Sequence, residues 1–349
     1  MEIIPGLPND ISRECLVRVP WPKHYKLSSV SKTWKTVVTG PLFYKNRKKF
    51  GASQELIILS VCFEYDFRIV IYDPLKKSYQ ILPSIPIGVE FQNTYFAHCV
   101  SLNHKLVVMG FHDREELLFV YDFCSGRWKR GADLPDRRYL FGCSVDSAKG
   151  QIYIAGGRDE NDDQILFTAA VYNVEKDEWE YLPPMIWGGN FSSQSAFADN
   201  KLYVINPHSD EGFVQCYDPN TRLWRNMTRF HDTIHRSFKY GIINSVLPAF
   251  GRLFYVCNEN VIKFDYVENQ FQLAGTRCPR YFSVVAMTMW HSQIVICGRT
   301  ESGGTAFYLF EPCTVGENGQ AGKPEKWTLL THWTLVDLTV INCCGTLTL

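Results

Sequence analysis

Nine histidines and twelve cysteines give this 349-residue chain ample material for metal or thiol chemistry. Such chemistry needs several of these side chains to converge, and short spacings in sequence are the usual sign. The cysteines stand singly in apolar, strand-like runs (Cys99, Cys143, Cys216, Cys257, Cys297), and no Cys-x-x-Cys occurs. That is the pattern of core thiols, not of a disulfide framework. Only Cys343 and Cys344 are adjacent, at the end of an apolar run, and only His231 and His235 are closely paired, in a loop-like segment. Zinc, a resident cofactor and a catalytic centre are therefore not expected. The sequons Asn190-Phe191-Ser192 and Asn226-Met227-Thr228 have no secretory signal to give them meaning.

With no reacting group in view, the elements and what they bind carry the reading. Hydrophobic side chains make up 46% of the chain, enough for a large core, and the formal net charge is zero. Nothing global draws the chain to nucleic acid or an anionic membrane. The start lacks a basic stretch leading into an apolar one, and no segment reaches the roughly 20 apolar residues of a spanning helix. A soluble protein of the cytoplasm, the nucleus or both is expected. Charge is nevertheless divided unevenly. Residues 1–54 hold ten Lys/Arg against three acids, and the remainder carries the compensating acidic excess of seven. Such a change marks a boundary between parts with different partners.

The first part reads as short helices. Pro8-Asn9-Asp10 supplies start signals, Ile11, Cys15, Leu16 and Val19 follow at helical spacing, and Pro20 and Pro22 stop the run. A second stripe, Leu27, Val30, Trp34, Val37 and Val38, ends at Gly40-Pro41, and Leu42-Phe43-Tyr44 opens a basic segment. Fifty such residues make a thin core and leave apolar positions for a partner. The runs Pro5-Gly6-Leu7-Pro8-Asn9-Asp10-Ile11, Glu14-Cys15-Leu16-Val17-Arg18-Val19-Pro20 and Val30-Ser31-Lys32-Thr33-Trp34-Lys35 resemble the F-box motif throughout. That resemblance implies contact with a Skp-type adaptor, and through it a cullin, by Leu7, Pro8, Ile11, Cys15, Leu16, Leu27, Val30 and Trp34. For Val30 and Trp34, internal packing is an equal alternative, since a Trp on an amphipathic stripe is core by default.

From about residue 55 short apolar runs alternate with turns, and the segment repeats itself. An aromatic, usually followed by Asp, precedes a second aromatic by seven residues: Tyr72 and Tyr79, Tyr121 and Trp128, Tyr172 and Trp179, Tyr217 and Trp224, Phe264 and Phe271. Phe310 meets Trp327 only after a Gly-rich insertion, and the six anchors step by 49, 51, 45, 47 and 46 residues. The acid favours a turn, and seven residues cross that turn and set an aromatic into the next strand. Two further runs precede each anchor, which makes each unit a four-stranded sheet. Sheets of this kind, buried on both faces by their neighbours, close as a radial propeller.

The repeat resembles kelch: Gly156-Gly157 match its double glycine and the Tyr-to-Trp step its spacing. Elsewhere Gly110 and Gly298 stand singly, with Asn206-Pro207 and Cys257-Asn258 at the other positions. The expected architecture is mainly β: a small α-helical F-box over residues 1–50, then a six-bladed kelch β-propeller over 55–349. The first unit begins at its second strand (Glu55–Leu59), and a lone run, Val336–Ile341, follows the last. The C-terminal strand is therefore expected to complete the first blade and remove the free edge.

Loops at one propeller mouth are the expected substrate contacts. They supply His112, Arg158, Asp159 and Arg299 after second strands, and Arg138, Tyr139, Trp187, Phe191, Arg280 and Tyr281 before first strands. The resemblance extends to plant F-box/kelch proteins. It implies a non-catalytic substrate receptor of an SCF-type ubiquitin ligase, with phenylpropanoid enzymes or cytokinin-response regulators as possible targets. Two other classes compete: a galactose-oxidase-like copper enzyme, which needs converging His and Tyr ligands with a nearby Cys, and a kelch scaffold, which has no need of the N-terminal motif.

Overall fold

The computed structural model describes residues 2–40, 42–63, 66–86, 98–112, 115–188, 193–206, 213–229, 245–257, 260–275, 279, 283–313, 323–333 and 340–349. Four short helices come first: α1 (Asn9–Val17), α2 (His24–Val30), α3 (Lys32–Val38) and α4 (Leu42–Lys49), with a 3-10 turn at Trp21–Lys23. The second apolar stripe is split between α2 and α3. Ser31 is extended, and its hydroxyl accepts the Trp34 N–H at 3.1 Å, so a side-chain cap interrupts the periodic run. Ile3, Leu16, Val17, Val38 and Phe43 form the small helical core. Arg47 is fully buried there, its guanidinium donating to the carbonyls of Val17, Val19 and Ala52. It thus satisfies groups at and beyond the end of α1 that no helical bond reaches.

Among the described residues the rest folds into six four-stranded antiparallel sheets and one two-stranded ribbon. Each seven-residue aromatic step is a cross-strand pair between the third and fourth strands of a blade: Tyr72 opposes Tyr79, Tyr121 opposes Trp128, Tyr172 opposes Trp179, Tyr217 opposes Trp224 and Phe264 opposes Phe271. The stretched pair, Phe310 and Trp327, keeps the same register despite its insertion. Ring centroids lie 4.7 to 5.2 Å apart in the last five of the six. The acid of the motif works as expected: the Asp73 carboxylate accepts the N–H groups of Leu75 and Lys76, and Asp265 those of Val267 and Glu268.

The indoles also reach across blades. Trp128 Nε1 donates to the Pro83 carbonyl at 2.8 Å, Trp179 to Ala132 at 3.2 Å and Trp224 to Pro183 at 2.7 Å. Each acceptor lies in the link leaving the preceding blade. Around the remaining joins, Asn269 donates to the Met227 carbonyl, the Cys313 N–H to Ala274 and Trp290 Nε1 to Glu55.

The ring closes as expected, by the strand Val340–Thr348 and not by the run Val336–Ile341, of which 336–339 lie outside the described residues. Val340–Thr348 pairs with Glu55–Phe63, in the sheet order 340–348, 55–63, 66–73, 78–81. Gln54 and Leu349 exchange backbone hydrogen bonds at 2.7 and 3.0 Å, and Leu347 and Leu349 are buried among residues of blades 1 and 2. None of the described helices is long and apolar enough to cross a membrane.

Deleting Val340–Leu349 is expected to abolish cooperative unfolding, since it strips the innermost strand of blade 1 and two leucines, each worth roughly 1.5–3 kcal/mol of burial; a sharp thermal transition near the wild-type midpoint would overturn the closure. Trp179→Phe keeps the ring but loses the bond to Ala132. It should cost about 1 kcal/mol, read from the urea midpoint at unchanged slope.

Candidate functional site

The strand pairing fixes two opposite faces. In blade 2 the turns at 102–105 and 122–127 lie at one end, because Leu102 pairs with Lys105 and Asp122 with Arg127, while Phe111 pairs with Glu116 at the other. The helices cover the first end. Tyr44 stacks flat on His104, with centroids 5.4 Å apart and planes at 4°, Trp21 packs edge-on against Phe123, and Tyr25 lies against the turn at Gly126. The helical part therefore shares its packing with blades 1 and 2, and the candidate recognition loops open on the far side.

On the helical surface the sequence-predicted residues divide. Leu7, Pro8, Ile11, Cys15 and Val30 are exposed, with Val30 at 60%, whereas Leu16 is buried in the helical core. Leu27 and Trp34 are intermediate, and the Trp34 indole donates to the Ile3 carbonyl at 2.7 Å. Trp34 is thus held inward and Val30 is left outward. Cys15, Val19, Pro20, Leu27 and Val30 line an open groove of about 540 Å³ whose rim carries Arg18, Lys23 and Lys26. An apolar floor with a cationic rim suits a helix that is apolar on one face and acidic beside it.

At the mouth, blade 3 is the best ordered by side chains. Arg138–Tyr139 and Arg158–Asp159 pair as a two-stranded ribbon. Gly157 makes room for it: its φ of +92° and the Tyr139 carbonyl 2.5 Å from where a Cβ would sit require glycine. Arg138 is wholly buried and holds the ribbon from beneath, donating to the carbonyls of Gly156 and Thr168, each at 3.1 Å, and pairing with Asp136. Asp136 also accepts from Thr168 and Tyr181 at 2.7 and 2.8 Å. Burial would raise its pKa, but these hydrogen bonds and the Arg138 charge outweigh it and hold the carboxyl below its ordinary value. Arg138 is an anchor, and the surface it supports is made by others.

Arg158 forks onto Asp163 at 2.6 and 2.9 Å, Tyr139 donates its hydroxyl to the same carboxylate, and Asp159 accepts the Asn161 N–H at 2.7 Å. Trp187 is 41% exposed with its Nε1 on Asn226 at 2.8 Å, beside the exposed Phe167 and Ile186. Arg299 is exposed at the end of its strand. His112 ends the strand Lys105–His112; Phe191, Arg280 and Tyr281 lie outside the described residues.

Two features had no signal in the sequence. Glu116, at the mouth end of blade 2, has its pKa raised to about 7, chiefly by burial, with Asp133 and Asp136 adding to the rise and Arg137 and Arg138 opposing it. On the helical side His104, Asp122 and Cys124 converge, the one such grouping of possible metal ligands among the described residues. Burial pushes the Cys124 thiol up and His104 down. His98, packed against Phe141, and His24 are each lowered to about 4 by burial.

Comparisons with known proteins match the two parts separately. A family model described as F-box domain covers residues 4–46, and one described as Kelch motif covers 140–186. An F-box/kelch-repeat protein of Arabidopsis thaliana is 30% identical over 251 residues, spanning 65% of this chain and 70% of its own length. A second from the same plant is 28% identical over 293 residues, 70% of each chain. A chain of the crystal structure of a nidogen/laminin complex superposes with a TM-score of 0.56 at 7% identity, covering 84% of this chain and 98% of its own, a likeness of fold alone.

Glu116 makes the mouth's stability depend on pH. Its folded-state pKa lies above the ordinary value, so its contribution is complete below about 4.5 and is lost as pH rises through about 7. Glu116→Gln is therefore expected to raise the melting temperature at pH 8 and leave it nearly unchanged at pH 4. Equal shifts at both values would show that charge at this position does not matter.

Proposed function

The chain belongs to the F-box/kelch-repeat proteins, and we propose that it is a non-catalytic substrate receptor of an SCF-type ubiquitin ligase. In this reading residues 1–50 bind a Skp-type adaptor, and through it the cullin, while the 55–349 propeller holds a protein target for ubiquitination at its mouth. Both activities are binding, and the transfer chemistry belongs to other subunits. The observation that carries the proposal is the division of the F-box side chains. Leu7, Pro8, Ile11, Cys15 and Val30 face outward from helices whose own core is already filled by Ile3, Leu16, Val17, Val38 and Phe43. Apolar residues left over in this way, next to a cationic groove, are the surface a partner helix would cover.

The opposed faces support the same reading. Adaptor and target would bind at opposite ends of one rigid body, so that neither obstructs the other. Mouth residues for the target are Tyr139, Arg158, Asp159, Trp187 and Arg299, with His112, Phe191, Arg280 and Tyr281 as further candidates from the sequence; Arg138 acts by supporting the ribbon. The target is proposed to be a protein, of the phenylpropanoid-enzyme or cytokinin-response-regulator kind that the family resemblance suggests.

Leu7→Ala combined with Pro8→Ala is expected to weaken capture of a Skp-type adaptor at least about tenfold, corresponding to about 1.4 kcal/mol or more, with the melting temperature unchanged because both residues are exposed. Adaptor binding at wild-type strength would remove the basis of the ligase reading. The same double variant, expressed in full and coupled to proximity labelling, should hold its target without delivering it. It is preferable to cutting the helices away, since Trp21 and Tyr44 pack into blades 1 and 2.

A further inference from the structure

We propose that His104, Asp122 and Cys124 form a binding site for a transition-metal ion of the zinc class, in the seam between α4 and blade 2. The three donors are 18 and 2 residues apart, a spacing with no metal signature. The fold gathers them because His104 sits in the turn between the first two strands of the blade, and Asp122 and Cys124 in the turn between the last two. Their ligand atoms all lie within 4.8 Å of one another. A tetrahedral zinc with bonds of about 2.0–2.3 Å places its ligand atoms roughly 3.3–3.8 Å apart, so small side-chain movements bring all three into range. One nitrogen, one carboxylate oxygen and one sulfur make a donor set suited to zinc or cobalt and ill suited to magnesium or calcium.

The internal repeat supplies an independent comparison. Two residues after the turn Asp, Asn or Glu, blades 1, 3, 4 and 5 carry Leu75, Glu175, Asn220 and Val267 where blade 2 has Cys124, and blade 6 carries Cys313 but with Ser292 in its first turn. At the place of His104 in the first turn stand Gly150, Asn200, Gly251 and Ser292. Blade 2 alone combines imidazole and thiol here, and it is the blade under the helices. Leu75 and Val267 are 73% and 78% exposed at the position where Cys124 is 1% exposed. Residues that hold the donors are also in place. The Tyr44 ring lies flat on His104, its hydroxyl is 3.1 Å from His24 Nδ1, and His24 Nε2 is 2.8 Å from the Val19 carbonyl. Asp122 accepts the Cys124 N–H at 2.7 Å, which fixes carboxylate and thiol side by side.

Binding would replace the thiol proton, released to solvent, with the metal–sulfur bond. The Tyr44 hydroxyl or a water would complete four ligands. A metal held there would lock together the two turns on which α4 and Trp21 rest, fastening the helical part to the propeller.

The test is a cobalt(II) titration of the full chain after dialysis against a chelator. The expected result is one equivalent of bound cobalt with near-ultraviolet thiolate-to-cobalt charge-transfer absorption, displaced by zinc. Cys124→Ser should abolish that absorption, Cys216→Ser, at another buried thiol, should keep it, and His104→Gln should weaken cobalt binding at least about tenfold. No charge-transfer absorption in the wild-type chain, or absorption that survives Cys124→Ser, overturns the site. Should circular dichroism show Cys124→Ser unfolded, His104→Gln decides, and undiminished affinity in that variant overturns it equally.

Discussion

Everything in the propeller depends on the aromatic that is set into the fourth strand of each blade. A blade is a four-stranded sheet whose two faces must both be covered, and no single blade can cover its own. The aromatic pair settles this twice over. Within the blade, Tyr172 and Trp179 oppose each other across the strands, their rings tilted by 33° with centroids 4.9 Å apart, and fix the register; between blades, the Trp179 indole reaches back to the Ala132 carbonyl. One side chain therefore specifies both the strand pairing and the neighbour. Where the second aromatic has no N–H, as at Phe271 and Tyr79, other donors hold the join: Asn269 to Met227 for blade 5 against blade 4, and Trp290 to Glu55 for blade 6 against blade 1. The geometry of the ring is conserved along the chain even where the chemistry of the join changes.

This constraint also explains how the helices are held. Trp21 enters the same cluster as Ile69, Phe123 and Leu347, which spans blades 1 and 2, and the Trp21 N–H donates to Gln54 at 2.8 Å. Gln54 in turn meets Leu349, the end of the closing strand. The N-terminal helices, the join of blades 1 and 2 and the C-terminus thus converge at one place. A movement of the helices would require repacking at the closure of the ring, so the exposed F-box residues and the mouth are held in a fixed relation.

Much of this was legible in the sequence, for identifiable reasons. Repeated aromatics at a constant step report a cross-strand register directly, because a turn of given length allows only one pairing. The missing first strand and the spare last one, taken together, implied closure, and Val340–Thr348 supplies it. What was not legible depends on tertiary context. The stripe from Leu27 to Val38 has helical periodicity throughout, and its break at Ser31 is a side-chain cap that periodicity does not register. Arg138 looked like a contact residue because arginines in loops usually reach solvent. It turns inward because the carbonyls of Gly156 and Thr168 and the Asp136 carboxylate accept its N–H groups beneath the ribbon. His104 and Cys124 carried no signal at all, being distant in sequence and brought together only by the two turns of one blade.

The buried cations follow a common logic. Arg47 and Arg138 are both fully buried and both donate to backbone carbonyls, Val17, Val19 and Ala52 for one and Gly156 and Thr168 for the other, which also pairs with Asp136. Desolvation of a guanidinium is costly, and it lowers the pKa of both. The cost is offset by hydrogen bonds to irregular backbone, at the end of α1, just after α4 and beneath the mouth ribbon. A planar side chain with five donors can satisfy several such carbonyls at once, which neither lysine nor a neutral amide can do in the same space. Arginine in the interior thus ties irregular backbone to regular elements, Arg47 among the helices and Arg138 beneath the ribbon of blade 3.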